Sequence, residues 1–447
     1  MTPSHTWDAL IPLDRLERKL KDGKPVYLPG EALAEANRCL YCHDAPCVEA
    51  CPTGIDIPGF IRKIATENVR GSAKTILSAN LLGYSCARVC PVEVLCVGAC
   101  VYNDWHRSPI QIGRLQRFAV EKTFELGTAA ELFDKAPSTG RKVACIGAGP
   151  ASLAAAGYLA LEGVAVTVFE RRSIPGGLNA TGVAPYKMEV AGALAEVNFI
   201  QSLGVTLKVG VEIGRDVKGA DLVRDFDAIF LGPGLGADSS LGITGEDGPG
   251  VVGATVWIER MKLEPGFAVT GVKRALVIGG GNTAIDAARE LARLGVPEVT
   301  MVYRRTAAEM PGYKHEMDAG RAEGVRMLER AVPKAVLRGA GGALRALQLE
   351  DGRELAADLI VLAIGQARLR DLIAQFSGVE LDPKGRIVAD AATGRTGNPK
   401  VYAGGDAMSG GQEVVNAAQE GKRAARAICA QLGVNVRPGA AMQAGHV

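Results

Sequence analysis

The sequence predicts an α/β protein in which a helical, cysteine-rich segment precedes two βαβ units, and three observations predict it. Eight of the ten cysteines fall between Cys39 and Cys100. A short apolar strand runs into Gly147-x-Gly149 and an alanine-rich helix, and the same order recurs around Gly279-x-Gly281. Further apolar strands end in glycine turns at Gly232-Pro233-Gly234 and at Gly365.

With 447 residues, 47% of them hydrophobic and 22% charged, the chain has room for two or three ordinary globular domains. A net charge of +2 and the lack of any long basic run argue against a nucleic-acid partner. Val143 to Leu161 is 19 residues without a charge, long enough for a membrane span, but Gly147-Ala148-Gly149-Pro150 divides it into a strand and a helix, so no membrane association is expected. The start Met1-Thr2-Pro3-Ser4-His5-Thr6-Trp7-Asp8 lacks the basic head and apolar core of a secretory signal, and the expected location is cytoplasmic.

The cysteines form two groups, Cys39-x2-Cys42-x4-Cys47-x3-Cys51-Pro52 and Cys86-x3-Cys90-x5-Cys96-x3-Cys100. Disulfides require an oxidising compartment, which nothing in this sequence points to. Structural zinc takes paired CxxC arms or Cys/His combinations, and only Cys39 and Cys42 make such an arm. A run of four thiolates ending in Cys-Pro, followed by four more, matches two-cluster ferredoxins, in which the last cysteine of a run serves the other cluster. Iron-sulfur chemistry is therefore the reading, with zinc and disulfides as alternatives.

Along the chain, a helical pattern surrounds Leu13, Leu16 and Leu20, and a second runs from Glu31 to Arg38. Ile57-Pro58-Gly59-Phe60-Ile61 opens a helix, Ala73 to Leu82 reads as another, and Ile110 to Leu126 is amphipathic. Pro137-Ser138-Thr139-Gly140 reads as an exposed linker that closes a helical iron-sulfur domain over residues 1–136.

The first βαβ unit has a strand Arg141 to Ile146, the turn Gly147-x-Gly149-Pro150-Ala151-Ser152, a helix Leu153 to Glu162 and a strand Val164 to Phe169. Its glycines permit a tight turn and a close approach of backbone amides to a pyrophosphate at the helix N-terminus. Glu170, 21 residues after Gly149, ends the second strand, where an acid accepts from an adenosine ribose hydroxyl. The plain alternative is a glycine-rich turn in an ordinary α/β domain.

The second unit repeats the order with a strand Arg274 to Ile278, the turn Gly279-x-Gly281-Asn282-Thr283-Ala284, a helix Ile285 to Leu294 and a strand Val299 to Tyr303. Two such units imply two dinucleotides. Arg304 and Arg305 stand where the first unit has its acid, and arginines there hold a ribose 2′-phosphate, favouring NADPH; the alternative is a solvated strand end. Strands at Ala228 to Leu231 and Leu359 to Ile364 bracket this unit, as expected for a nicotinamide domain inserted into a flavin domain. Val401-Tyr402-Ala403-Gly404-Gly405-Asp406 returns to the flavin domain, ahead of a helix Glu413 to Cys429. Asp406 suits a ribityl or pyrophosphate contact, and suits a helix cap equally. The expected domains are an FAD-binding domain at 141–250 and 369–447 and an inserted NAD(P)-binding domain at 251–368.

These features together resemble the glutamate synthase small-subunit family and the flavin half of dihydropyrimidine dehydrogenase, from about Asn37 to Arg426. Cys42-His43-Asp44-Ala45-Pro46-Cys47, Cys96-Val97-Gly98-Ala99-Cys100 and Ile112-Gly113-Arg114-Leu115-Gln116 look like the dihydropyrimidine dehydrogenase side, and most like the NAD(P)H-accepting subunit of the bacterial enzymes. Met310-Pro311-Gly312-Tyr313 resembles the glutamate synthase branch instead, which leaves the choice between NADH and NADPH open. The resemblance implies a flavoprotein disulfide reductase-like fold behind a double [4Fe-4S] domain. It implies one [4Fe-4S] cluster on Cys39, Cys42, Cys47 and Cys100 and another on Cys51, Cys90, Cys96 and Gln116, with Cys86 spare. It maps FAD contacts onto the loop from Glu170 through Gly177 to Leu178, Lys187, Gly405 and Asp406, and NAD(P)H contacts onto Asn282, Thr283, Arg304, Arg305 and Ala363 to Gly365.

Dihydropyrimidine dehydrogenases of eukaryotes continue into an FMN barrel with the pyrimidine site, which this chain lacks, so the resemblance implies a heteromer with an FMN-containing catalytic subunit. The expected activity is electron entry: hydride from NAD(P)H to FAD, then single electrons through the clusters to a partner that reduces uracil or thymine. No acid-base side chain is required for that step, and no catalytic residue is nominated. The alternatives are a glutamate synthase small subunit or general NAD(P)H:ferredoxin-type oxidoreductase, and a non-enzymatic nucleotide-binding iron-sulfur sensor.

Overall fold

The structure, a computed structural model, describes Trp7 and residues 10–437. The first residues of the expected signal-free N-terminus, and Pro438 to Val447 of the expected second flavin portion, lie outside the described residues.

The cysteine-rich segment is helical. Its helices start at local caps: Asp56 accepts from Gly59 N at 2.9 Å to open Ile57–Ala65, and Asn68 accepts from Gly71 N at 2.8 Å to open Val69–Ala79. Gly83–Val89 and Ile112–Glu125 complete the set, and Phe60, Ile61, Ile76, Leu77, Leu82 and Leu115 close its core. This core runs on into the first βαβ unit: Leu81 lies against Gly157, where an added Cβ would come within 2.8 Å of it. Pro137 to Gly140 is exposed, as the composition suggests, but it is pinned along that unit, with Ala136 N donating to Leu161 O and Thr139 N to Gly163 O, both at 2.9 Å.

Two five-stranded parallel sheets follow. The first has the spatial order Val401–Ala403, Ala228–Leu231, Lys142–Ile146, Ala165–Glu170, Thr206–Val209. The second has the order Val251–Gly253, Leu359–Leu362, Arg274–Ile278, Glu298–Val302, Arg326–Leu328. The first sheet is thus completed by a strand that follows the whole of the second. The uncharged stretch from Val143 is a strand and the helix Pro150–Leu161, and among the described residues no helix is long and apolar enough to cross a membrane.

Two features depart from the sequence expectation. A three-stranded antiparallel sheet, Pro333–Arg338, Leu344–Leu349 and Glu354–Ala356, packs Val336, Leu347 and Leu349 against Leu276, Ile278, Ile360 and Leu362, covering one face of the second sheet. Around Leu13, Leu16 and Leu20 there is a single 3₁₀ turn, Leu16–Lys19, in place of a longer helix. Leu13 is 81% exposed, whereas Leu16 and Leu20 are buried in the core of the second sheet, against the helix Ala254–Leu263.

Candidate functional site

Cys39, Cys42, Cys47 and Cys100 line one cavity whose other walls are apolar, among them Pro46, Ile57, Ile61, Ile110 and Ile112. Cys100 thus shares a cavity with Pro46 and Cys47 of the helix Pro46–Glu49, across the gap between the two cysteine groups. Burial first, and then Cys39, Cys100 and Cys42, together push the Cys47 thiol up to about 12. Four mutually repelling sulfurs in an apolar pocket suit a core that takes up their negative charge, and binding such a core displaces their protons.

Cys51, Cys90 and Cys96 form the second group. The Cys96 thiol is raised by burial and then by Cys51 and Cys47; the Cys90 thiol is raised first by its hydrogen bond with Cys86, then by burial, with Cys51 and Cys96 adding to it. Gln116 is only 7% exposed, and its Nε2 donates to Gly83 O at 2.8 Å, at the start of the helix that carries Cys86 and Cys90. Cys86 is buried beside Cys90 and accepts from Asn80 Nδ2 at 3.2 Å. Among the described residues no three His, Cys, Asp or Glu side chains meet as they would around a single ion.

The first βαβ turn is a backbone cradle. Gly147 has φ +86°, and a Cβ there would lie 2.7 Å from Gly232 O; a Cβ on Gly177, φ +56°, would lie 2.7 Å from Gly149 Cα. Pro150 takes the first helical position, where no amide is needed, and Ala151 and Ser152 are buried behind it. Ser152 Oγ donates to Ile146 O at 3.2 Å, tying helix to strand. Gly405 reaches the same helix, since a Cβ there would stand 3.0 Å from the Ala151 methyl. Asp406 Oδ1 accepts from Gln412 N at 3.1 Å, and burial raises its carboxyl. Glu170 is 8% exposed, and its two oxygens accept from Ala148 N and Arg172 N, each at 2.8 Å, so this acid also fixes the turn. Leu178 opens the short helix Leu178–Thr181 directly after Gly177.

In the second unit Gly279, φ +146°, has no room for a Cβ, which would meet Ala363 O at 2.3 Å. Gly281 faces open space and caps the helix Asn282–Arg293. Asn282 Oδ1 accepts from Tyr313 N at 2.9 Å, Thr283 is exposed and Ala284 is buried. Gly365 also faces open space, at φ +109°. Arg304 and Arg305 are exposed, and the Arg305 guanidinium lies 5.7 Å from the Tyr303 ring, which itself packs on Gly280.

Lys187 stands apart from the cradle: its ammonium pairs with Asp286 at 2.7 Å and Glu316 at 3.0 Å, both of the second unit. Four further residues escape sequence reasoning. Lys262 is fully buried and donates to Asn179 O, Val183 O and Met188 O at 3.1, 3.0 and 2.8 Å. Glu196, Ser85 and Asn179 form a buried chain between the helix Gly83–Val89 and the Gly177 loop. The available signal for Glu196 is that it is the one charged residue of the helix Val190–Ser202.

A family model described as dihydropyrimidine dehydrogenase domain II, 4Fe-4S cluster, matches residues 16–128, and one described as pyridine nucleotide-disulphide oxidoreductase matches 141–421. The chain is 37% identical over 404 residues to the NAD-dependent dihydropyrimidine dehydrogenase subunit PreT of Escherichia coli (strain K12), covering 90% of this chain and 95% of that one. It is 34% identical over 433 residues to the glutamate synthase [NADPH] small chain of the same organism, covering 89% and 91%. Thioredoxin reductase of T. acidophilum shares the fold with a TM-score of 0.55 at 23% identity, over 65% of this chain and 99% of that one. The chain belongs to the pyridine nucleotide-disulphide oxidoreductase family, as an electron-transfer oxidoreductase with an iron-sulfur domain of the dihydropyrimidine dehydrogenase type at its front.

Proposed function

We propose that this chain is the electron-entry subunit of a pyrimidine-reducing complex, working with an FMN-containing subunit that reduces uracil or thymine. When bound, FAD supplies a hydride acceptor for NAD(P)H and [4Fe-4S] clusters supply one-electron carriers. Cys39, Cys42, Cys47 and Cys100 would hold one cluster, and Cys51, Cys90, Cys96 and Gln116 the other. The Gly147, Gly149 and Gly177 backbones would receive the FAD pyrophosphate at the start of the helix Pro150–Leu161, whose dipole favours an anion. Glu170, Gly405 and Asp406 would flank the ribose and ribityl chain. The Gly279 to Ala284 turn, with Ala363 and Gly365, would hold the nicotinamide dinucleotide, and Arg304 and Arg305 would lie at its ribose.

The observation that carries the reading is the core shared by the cysteine-rich helices and the first βαβ unit, which holds the Cys90 helix rigidly beside the Gly177 loop. The likeness to PreT over nearly the full length supports the pyrimidine partner. The Met310 to Tyr313 segment and the 34% identity to the glutamate synthase small chain favour a second reading with the same internal chemistry and an amidotransferase partner. Anaerobic co-expression with candidate FMN-barrel subunits, followed by an assay of uracil-dependent NAD(P)H oxidation, separates them. Oxidation with uracil or thymine is expected; oxidation that requires glutamine and 2-oxoglutarate instead would overturn the pyrimidine assignment.

A further inference from the structure

Asn179 is the second residue of the helix Leu178–Thr181, next to the Gly177 backbone that meets Gly149, and it is 4% exposed. Its Nδ2 donates to Ser85 Oγ at 2.9 Å, and its main-chain oxygen accepts from Lys262. Its side-chain Oδ1 has no hydrogen-bond partner among the described residues.

The orientation of this amide follows from its neighbours. Glu196 accepts from Tyr84 N and Ser85 N at 3.1 and 3.0 Å through one oxygen and from the Ser85 hydroxyl through the other. A hydroxyl has a single proton, so Ser85, having given it to the carboxylate, can only accept from Asn179. The NH₂ group therefore faces Ser85 and the oxygen faces away. A carbonyl oxygen this buried is costly to leave without a donor.

We propose that Asn179 Oδ1 accepts a hydrogen bond from the bound flavin, making Asn179 a flavin-contact residue and the chain Asn179–Ser85–Glu196 its rigid link to the helix carrying Cys86 and Cys90. The inference rests on the reading of the first βαβ cradle as the FAD site. The donor chemistry fits: an oxidised isoalloxazine carries a single ring N–H and gains at least one more on reduction, and its ribityl chain carries hydroxyls. Lys262, Ser85 and Glu196 are then positioning residues, since each acts on the flavin only through Asn179 or its helix.

The test uses the purified, FAD-loaded full chain with Asn179→Leu and the less bulky Asn179→Ser, whose side chain is too short to span from Ser85 to the flavin. FAD retention is read as the dissociation constant, and the flavin midpoint potential by anaerobic titration. At least tenfold weaker FAD binding is expected, or a tenfold weaker preference for the reduced ring, which is about 30 mV for a two-electron couple. Glu196→Gln, which acts only through Ser85, is expected to shift the potential or weaken FAD binding in the same direction as the Asn179 variants, and by less. If both Asn179 variants stay within twofold of the unaltered chain in both measurements, the contact is overturned. If the unaltered chain binds no FAD, it is the reading of the cradle that fails.

Discussion

Lys187 Nζ lies 2.7 Å from Asp286 Oδ1 and 3.0 Å from Glu316 Oε1, so one lysine of the first unit is paired twice with the second. Tyr186 adds its hydroxyl to Asp286 at 2.7 Å, and Arg289 and Arg293 lie 4.8 and 4.2 Å from its ring. Lys187→Met removes one shared cation from two largely buried carboxylates, leaving Asp286 with the Tyr186 hydroxyl and Glu316 with Arg289, and is expected to cost about 2 kcal/mol. A lowered urea midpoint checks it, and adding Asp286→Asn is expected to recover part of the loss, as coupled neighbours do. Equal midpoints for the unaltered chain and Lys187→Met would rule the pairing out as a stabilising contact.

Lys262 makes a pH dependence of definite sign. Burial lowers its ammonium to about 8 from the ordinary 10.5, with Glu17 and Glu290 opposing the shift. Between those two values the unfolded chain binds the proton that the folded chain has released, so stability from this group rises with pH from 8 to 10.5, and the full burial cost is carried below 8. The difference in melting temperature between the unaltered chain and Lys262→Met is expected to move in favour of the lysine across that window. A flat difference would show that Lys262 is not titrating there.

For the clusters, Cys42→Ser and Cys96→Ser are each expected to lose about four of about eight irons per chain, whereas Cys86→Ser keeps all of them. Iron analysis and electron paramagnetic resonance after reduction give the count. Iron loss in Cys86→Ser, with Gln116→Ala unaffected, would exchange the roles of those two residues, which both reach the Cys90 helix.

Arg304 and Arg305 bear on the choice of nicotinamide. If they hold a 2′-phosphate, Arg304→Ala with Arg305→Ala is expected to raise KM for NADPH roughly tenfold or more while leaving KM for NADH within about twofold, because each charge-assisted hydrogen bond contributes about 1.5–3 kcal/mol. Equal effects on both would mark them as a solvated strand end.

The two βαβ units were legible because their signals are local: Gly147 and Gly279 need backbone conformations and spaces that only glycine fills, and both stand between short apolar strands and helices. The overall fold class was legible for the same reason. The sheet formed by residues 333–356 was not, because its strands are half-buried on another sheet and alternate weakly. Leu16 and Leu20 were expected on a helix of their own, since nothing near them in sequence announces Trp257, Ile258 and Met261. Gln116, which composition alone would put at a surface, is buried, and Asn179, Glu196 and Lys262 became visible only once contacts between residues 80 or more positions apart were in place.

The core that passes from the cysteine-rich helices into the first sheet has a consequence for assembly. Tyr158 donates to Ser78 O at 3.2 Å and Lys422 to Ala79 O at 2.9 Å, so the flavin-side helices cap the end of Val69–Ala79. Cutting the chain at Gly140 would bare Leu81 and remove both caps, so residues 1–140 are expected to be less stable as a free, ferredoxin-like carrier than within the whole chain. Loading of iron and loading of flavin then become thermodynamically linked, each raising the occupancy of the other by stabilising one cooperative unit.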